Sequence, residues 1–386
     1  MDNSSLLTRA VEKVIPKDLA DKKLKSGKPM RLYLGIDPTG SKLHLGHSVP
    51  LRKLKQFADA GHHVIFLVGS FTAMIGDPSG QDKMREPLTR EDVEKNFASY
   101  KEQASKILDF DKDVEVVYNH EWLGKLNGEE ILKLTSHFTK QQMEQRDMFE
   151  RREKEGKSIN MQEFMYPMYV AYDSVQLDVD CEIGGSDQEF NMLCGRTLQE
   201  KYGKREKFIL ATRLIEGTDG RKMSKTYENC VYLDDEPDDM YGKLMSINDE
   251  LVEVYAECCT DLEVASGKWV VGSGAEAKKV KSELAREIVR MYHNEEAANA
   301  AVENFDKVHK EKGIPEDIPE VKIEKGTLLI DALVSSGICK SKNEAKRNIE
   351  QGGVKVDDKA VSSVEAVVEG ECVVKVGKRK FIKMSC

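Results

Sequence analysis

Three short apolar runs punctuate the first 230 residues: RLYLGI at 31–36, HVIFLVG at 63–69 and VEVVYN at 114–119. Each is dense in β-branched and aromatic residues, and each gives way to a turn signal or an amphipathic, helix-like pattern. This alternation predicts a parallel α/β sheet. Such a sheet is covered on both faces, and its ligands sit beyond the carboxyl ends of the strands, so the loops after these runs are where chemistry is expected. From 231 to 325 apolar residues recur at three- and four-residue steps in charged sequence, as in AKKVKSELAREIVRMYH and AANAAVENFDKVHKE, which predicts a helical domain. The segment KGIPEDIPEVKIEKG (312–326) sets prolines among charges and reads as an extended linker. A small domain follows at 326–386, with one helix, a second basic helix, and a Gly-Gly turn into strands. The expected division is therefore 1–230, 231–325 and 326–386.

Composition narrows the function classes. A chain of 386 residues, 40% hydrophobic and 33% charged, contains no apolar run near the roughly 18 residues that a membrane-spanning helix requires. Its first residues are charged throughout where an export signal would be apolar, so a cytoplasmic protein is expected. The eight cysteines include no C-x-x-C pair and read as small core residues in a reducing compartment, rather than as disulfides or a zinc site. The net charge of −9 speaks against a uniformly basic surface, yet residues 326–386 carry 11 Lys and Arg against 8 Asp and Glu. A nucleic-acid partner is therefore sought in that tail and on confined patches elsewhere.

Two stretches suggest a nucleotide site. After the first apolar run, Asp37-Pro38-Thr39-Gly40 forms a turn, and His44-Leu45-Gly46-His47 opens a helix. A helix start offers free N–H groups to an anion, and Gly46 leaves room for close approach. His44 and His47 lie one turn apart and can address one phosphate. The alternative is a packed turn in which both satisfy backbone groups; zinc has no evident third ligand. The second stretch is GTDGRKMSKTYENC (217–230), a glycine-flanked loop carrying Lys222 and Lys225. Taken alone it is a solvated basic loop. His62-His63 and Cys258-Cys259 suggest no chemistry.

Together, His44-Leu45-Gly46-His47 and Lys222-Met223-Ser224-Lys225-Thr226 resemble the paired signatures of class I aminoacyl-tRNA synthetases. Tyr33, Asp37-Pro38-Thr39, Gly76-Asp77-Pro78-Ser79-Gly80, Tyr166, Tyr172-Asp173 and Gly184-Gly185-Ser186-Asp187-Gln188 extend the resemblance to the bacterial tyrosyl enzymes over nearly the whole chain. Lys342-Asn343-Glu344-Ala345-Lys346-Arg347 and Gly352-Gly353-Val354-Lys355-Val356 are similar to the S4 RNA-binding module. The resemblance implies a Rossmann-like catalytic domain, an α-helical anticodon-binding domain and a small α+β S4-like domain, working as a homodimer on tyrosine, ATP and tRNA(Tyr). It implies no permanently bound cofactor; Mg2+ is expected on the ATP.

Roles are implied residue by residue. Tyr33 and Asp173 face the phenolic hydroxyl of tyrosine, and Asp77, Tyr166 and Gln188 hold its ammonium. Gly35, Asp37, Gly46, Asp187, Met223 and Ser224 surround the nucleotide, with Asp187 on the ribose. His44, His47, Lys222 and Lys225 meet the phosphates, joined by Arg85 and Lys83 from a mobile loop. Lys342, Lys346 and Arg347 meet tRNA phosphates. The attacking group is already a carboxylate, so the enzyme has to align reactants and neutralise developing charge. One position departs from the family: Val170 stands where a glutamine usually helps to bind the ammonium. Two rivals share the signatures, the tryptophanyl enzyme and a synthetase-derived RNA-binding protein that activates no amino acid. Tyr33, Asp173 and the tail oppose the first, and the four signature histidines and lysines oppose the second.

Overall fold

The computed structural model describes residues 3–79, 88–144, 147–264, 269, 275–310, 318–357, 359–377 and 380–385. Two compact units emerge, Met1–Glu295 and Glu296–Cys386.

The first unit is organised by a six-stranded sheet: β1 (Val11–Ile15), β2 (Arg31–Ile36), β3 (His63–Val68), β4 (Glu115–Tyr118), β5 (Cys181–Gly185) and β6 (Phe208–Thr212), in spatial order β1-β6-β5-β2-β3-β4. All pairings are parallel except β1 with β6. The three runs read from the sequence are β2, β3 and β4. The other three strands lie outside those runs: β1 is a charged edge, and β5 contains a glutamate and two glycines. Their pairing is set by neighbours distant in the chain. The central strands are buried on both sides, with Leu32, Tyr33, Leu34, Val64, Ile65, Phe66, Ile183 and Phe208 all 3% exposed or less, as a sheet sandwiched between helices requires.

The strand order reverses between β2 and β5, because β2 leads outward to β3 whereas β5 and β6 lie on its other side. Such a switch point opens a crevice at the carboxyl ends of the strands. Three helices wall it. The Leu45–Asp59 helix buries Leu45, Val49, Leu51, Leu54 and Phe57 against the sheet. The Met161–Leu177 helix turns Tyr166, Val170 and Asp173 toward the crevice, at the spacing of one helical face. The Glu189–Lys201 helix packs against it. The region predicted to be helical contributes helices Pro237–Met245, Val252–Cys259 and Ala275–Tyr292 to the same unit.

In the second unit, helices Leu329–Ser335 and Lys342–Glu350 cover a sheet of β7 (Glu320–Lys322), β8 (Val354–Val356), β9 (Lys359–Ala360), β10 (Cys372–Val376) and β11 (Lys380–Ser385), ordered β7-β11-β10-β8-β9. Part of the stretch that reads as linker is thus a strand: β7 pairs in parallel with β11, and Val321 and Ile323 pack on the core that includes Leu333, Ile349, Val374 and Ile382. The prolines mask the short alternation that drives this pairing. No helix among the described residues is long and apolar enough to cross a membrane.

Candidate active site

β2 ends at Ile36, and Asp37 follows at the mouth of the crevice. Its carboxylate lies against Gly69, where a Cβ would come within 1.9 Å of Asp37 Oδ1, so the glycine after β3 is required for this packing. Asp37 Oδ1 accepts from Thr72 Oγ1 at 2.7 Å, and Oδ2 accepts from Tyr166 Oη at 3.0 Å. Tyr33, Gly35, Asp37, Tyr166, Val170, Asp173 and Gln188 line one cleft together with Thr72, Asn119, Glu182 and Met192.

The cleft has two polar ends. At one, Asp173 is 2% exposed, with Oδ1 accepting from Trp122 Nε1 at 2.7 Å and Oδ2 from Asn119 Nδ2 at 3.2 Å. Burial pushes the Asp173 carboxyl up, and these two donors oppose that shift. Tyr33, 1% exposed, stands within 2.9 Å of Ser174 Oγ through its hydroxyl. At the other end, Asp77 accepts from Gln188 Nε2 at 2.7 Å and from the Ser79 N–H at 2.8 Å. Asn191 Nδ2 donates to Gln188 Oε1 at 2.8 Å, which fixes the orientation of that amide. Burial raises the Tyr166 phenol, reinforced by the nearby Asp37 and Asp77 carboxylates. Val170 contributes an apolar wall between Tyr166 and Asp173.

The two signatures meet beside this cleft. The Leu45 N–H donates to the Val231 carbonyl and the Leu233 N–H to the Leu43 carbonyl, both at 2.9 Å, tying the start of the Leu45–Asp59 helix to the chain that leaves the lysine loop. Lys225 Nζ lies over Gly40, 2.6 Å from where a Cβ would stand. Lys222 Nζ donates to Asp187 Oδ2 at 2.7 Å. The lysine loop is held from within by Asn229, which is 2% exposed. Its Oδ1 accepts from the Ser224 N–H at 2.8 Å, and its Nδ2 donates to Asp219 Oδ1 at 2.7 Å and to the Lys222 and Arg221 carbonyls at 3.1 and 3.2 Å. Met223 is buried, and its N–H donates to the Ile215 carbonyl.

His44 and His47 stack with ring centroids 3.8 Å apart. Burial lowers His44 to about 2 and His47 to about 3, with Lys225 and Lys222 adding to the shift of both and His47 to that of His44. At neutral pH they are therefore hydrogen-bonding groups without charge. The His44 N–H donates to His47 Nδ1 at 3.1 Å, which places the His47 proton on Nε2. His44 Nδ1 is buried and has no partner among the described residues. Gly46 leaves room for the His44 ring, since a Cβ there would lie 3.0 Å from two ring atoms.

Arg85 and Lys83 fall outside the described residues. In the second unit Lys342, Lys346 and Arg347 lie on one exposed helix, with Lys342 2.6 Å from Asp331 Oδ1 and Lys346 3.9 Å from Glu350 Oε1. Sequence reasoning misses Asn119 and Trp122, which hold Asp173, and the buried Ser174, Glu182 and Lys207 behind Tyr33. Asn119 carries a usable signal, because it ends a predicted strand at its carboxyl side. Asn229 lies within the lysine stretch, where nothing in the sequence sets it apart from any other loop residue.

Comparison with known proteins also divides the chain in two, at residue 310. Residues 25–310 match the model of class I tRNA synthetases (W and Y), and residues 310–383 match the tyrosine–tRNA ligase SYY-like C-terminal domain. The tyrosine–tRNA ligase of Thermotoga maritima is 44% identical over 98% of this chain and 96% of its own length. That of Desulfotalea psychrophila is 45% identical over the same shares. In fold, the C-terminally truncated mitochondrial tyrosyl-tRNA synthetase of Aspergillus nidulans superposes with a TM-score of 0.65 at 22% identity, covering 77% of this chain and 91% of that one. The Archaeoglobus fulgidus tyrosyl-tRNA synthetase complexed with L-tyrosine gives 0.61 at 19% identity, covering 78% and 99%. Matched along both of its parts, the chain belongs to the tyrosine–tRNA ligase family of class I aminoacyl-tRNA synthetases.

Proposed function

We propose that the cleft at the β2/β5 switch point binds tyrosine, and that the adjoining histidine helix and lysine loop bind ATP, for tyrosine activation followed by tyrosyl transfer to the 3′ end of tRNA(Tyr). The carrying observation is one cleft lined by Tyr33, Asp173, Tyr166 and Gln188, with Asp77 bonded to Gln188 and the lysine loop tied to the neighbouring Asp187 through Lys222. In this reading the phenolic hydroxyl lies between Tyr33 and Asp173, and phenylalanine, having no hydroxyl, would leave each of these buried groups one hydrogen bond short. Discrimination of this kind is already known from the tyrosyl enzymes, and its direction carries over with the pocket. Asp77 and Tyr166, with Gln188 alongside, hold the ammonium. Val170 offers no polar atom, and Asp37 compensates by backing the Tyr166 hydroxyl with a second carboxylate.

A tyrosine carboxylate oxygen attacks the α-phosphorus while the bond to pyrophosphate breaks. Asp187 releases Lys222 to take the ribose hydroxyls, and Lys222 and Lys225 neutralise the departing phosphates. Gly35, Gly46, Met223 and Ser224 shape the backbone around the nucleotide. His47 donates from Nε2 as a neutral group, so its contribution is a directed hydrogen bond and the lysines supply the charge. Arg85 joins them. ATP enters with Mg2+ held by its own phosphates and by water. Residues 231–325 meet the anticodon region and 326–386 position tRNA through Lys342, Lys346 and Arg347. The working state is a cytoplasmic homodimer.

The test is amino-acid-dependent exchange of labelled pyrophosphate into ATP, with tyrosine, phenylalanine and tryptophan offered separately. Exchange with tyrosine alone is expected. Exchange with another amino acid, or with none, refutes the assignment of the cleft.

A further inference from the structure

Behind Tyr33 lies a charged cluster that the reaction itself does not use. Lys207, immediately before β6, has a side chain with 0% exposure and donates to Glu182 Oε2 on β5, whose side chain is 6% exposed. The same Nζ donates to Ser174 Oγ at 2.6 Å, and Ser174 Oγ is 2.9 Å from Tyr33 Oη. Lys207 Nζ also stands 5.5 Å from the centroid of the Tyr33 ring. The site is closed by Gly195: a Cβ there would come within 2.5 Å of Ser174 Oγ, 2.8 Å of Lys207 Nζ and 3.1 Å of Glu182 Oε2. Four elements therefore enclose three side chains around one hydroxyl.

A buried ion pair is not needed to hold such a core together, since apolar or neutral replacements of similar volume are often as stable or more so. Its position suggests another role. Tyr33 and Glu182 are cross-strand neighbours in the β2/β5 pairing, so an uncompensated Glu182 carboxylate would be the strongest acceptor near the Tyr33 hydroxyl and would draw its proton away from the cleft. Lys207 compensates that charge and holds its Oε2. It has no acceptor, so Ser174 Oγ receives its proton and must direct its own elsewhere. The 2.9 Å separation favours Tyr33 Oη over Glu182 Oε2 at 3.4 Å.

We propose that Lys207 is a positioning residue for amino-acid selection: it occupies Glu182 and donates to Ser174, so that Ser174 donates to Tyr33 and the Tyr33 O–H points into the cleft. The hydrogen bonds then run in one direction, from the Lys207 ammonium through Ser174 and Tyr33 to the substrate hydroxyl, and from that hydroxyl to Asp173. Bonds aligned head to tail between a cation and a carboxylate reinforce one another, and the phenolic hydroxyl is the link that completes the chain. This rests on the assignment of the cleft to tyrosine.

The experiment measures kcat/KM in pyrophosphate exchange with tyrosine and with phenylalanine for the full chain and four variants: Tyr33→Phe, Ser174→Ala, Ser174→Thr and the neutral pair Lys207→Met with Glu182→Gln. Ser174→Ala and the neutral pair are expected to lower the tyrosine-to-phenylalanine ratio about tenfold, through KM for tyrosine, with kcat and the phenylalanine value held. Ser174→Thr, which keeps the hydroxyl, is expected to retain the ratio. If Ser174→Ala keeps the ratio while Tyr33→Phe lowers it, the relay is wrong and the cleft assignment stands. If Tyr33→Phe also keeps it, both fail. The serine variants leave the ion pair intact, so the test survives if the neutral pair does not fold.

Discussion

Replacing Asn229 by alanine tests how the lysine loop is held. The truncation strands the Ser224 N–H and the Lys222 carbonyl, and it removes one donor from Asp219 and one from the Arg221 carbonyl, which keeps the Gly217 N–H. Three such neutral hydrogen bonds at about 1 kcal/mol each amount to about 3 kcal/mol of loop ordering, or a factor of about 100 in the equilibrium between ordered and disordered loop. The loop carries Lys222 and Lys225 but none of the groups that line the amino-acid cleft, so the loss should be confined to the chemical step. Adenylate formation in single turnover is expected to slow by about 100-fold. Tyrosine affinity should be unchanged, and Trp122 can report it by fluorescence, because its indole N–H bonds to Asp173 inside the cleft. Asn229→Asp should be no better, since it keeps an acceptor for Ser224 but turns a carboxylate toward Asp219 and two carbonyls. A rate within about threefold of the parent, or a parallel loss of tyrosine affinity, would refute the reasoning.

Three further outcomes follow from the geometry. Gly40→Ala places a Cβ 2.6 Å from Lys225 Nζ, the mobile end of its side chain; the melting temperature should hold while pyrophosphate exchange falls about tenfold, and an unchanged rate would show that Lys225 acts from elsewhere. His47 is held at about 3 in the folded chain against its ordinary 6.5, so below pH 6.5 the unfolded chain binds a proton that the native chain does not, and stability present above pH 6.5 is lost as pH falls toward 3. His47→Gln should therefore reduce the stability lost between pH 6.5 and 4.5 by about 2.3 kcal/mol, measured by urea unfolding; identical losses in both proteins would contradict it. Lys346→Ala with Arg347→Ala should weaken tRNA charging and flatten its salt dependence while leaving pyrophosphate exchange intact, and equal losses in both assays would count against a tRNA-positioning role.

Local pattern was enough to place β2 and β3, because a buried parallel strand must be apolar on both faces, and the half-buried edge strand β4 kept enough β-branched and aromatic residues to stand out. It was not enough for β5, whose Glu182 and glycines are accommodated only by Lys207, Ser174 and Met192 from other elements, nor for β7, whose partner lies some 60 residues away. The same split runs through the site. His44, Gly46, His47 and the lysine loop are contiguous, so their chemistry is visible in short words of sequence. Asp173 is held by Asn119 and Trp122, 54 and 51 positions away, and Tyr33 by Ser174, 141 positions away, distances over which no local pattern operates. Protonation lay further still from view: the sequence offers two histidines beside two lysines without saying which of them are charged, whereas enclosure makes the imidazoles neutral. Residue type alone determined which groups are available for phosphate and phenol. Tertiary structure decided which of them carry charge and which way their hydrogen bonds point, because desolvation and partner geometry exist only once the chain has closed around them.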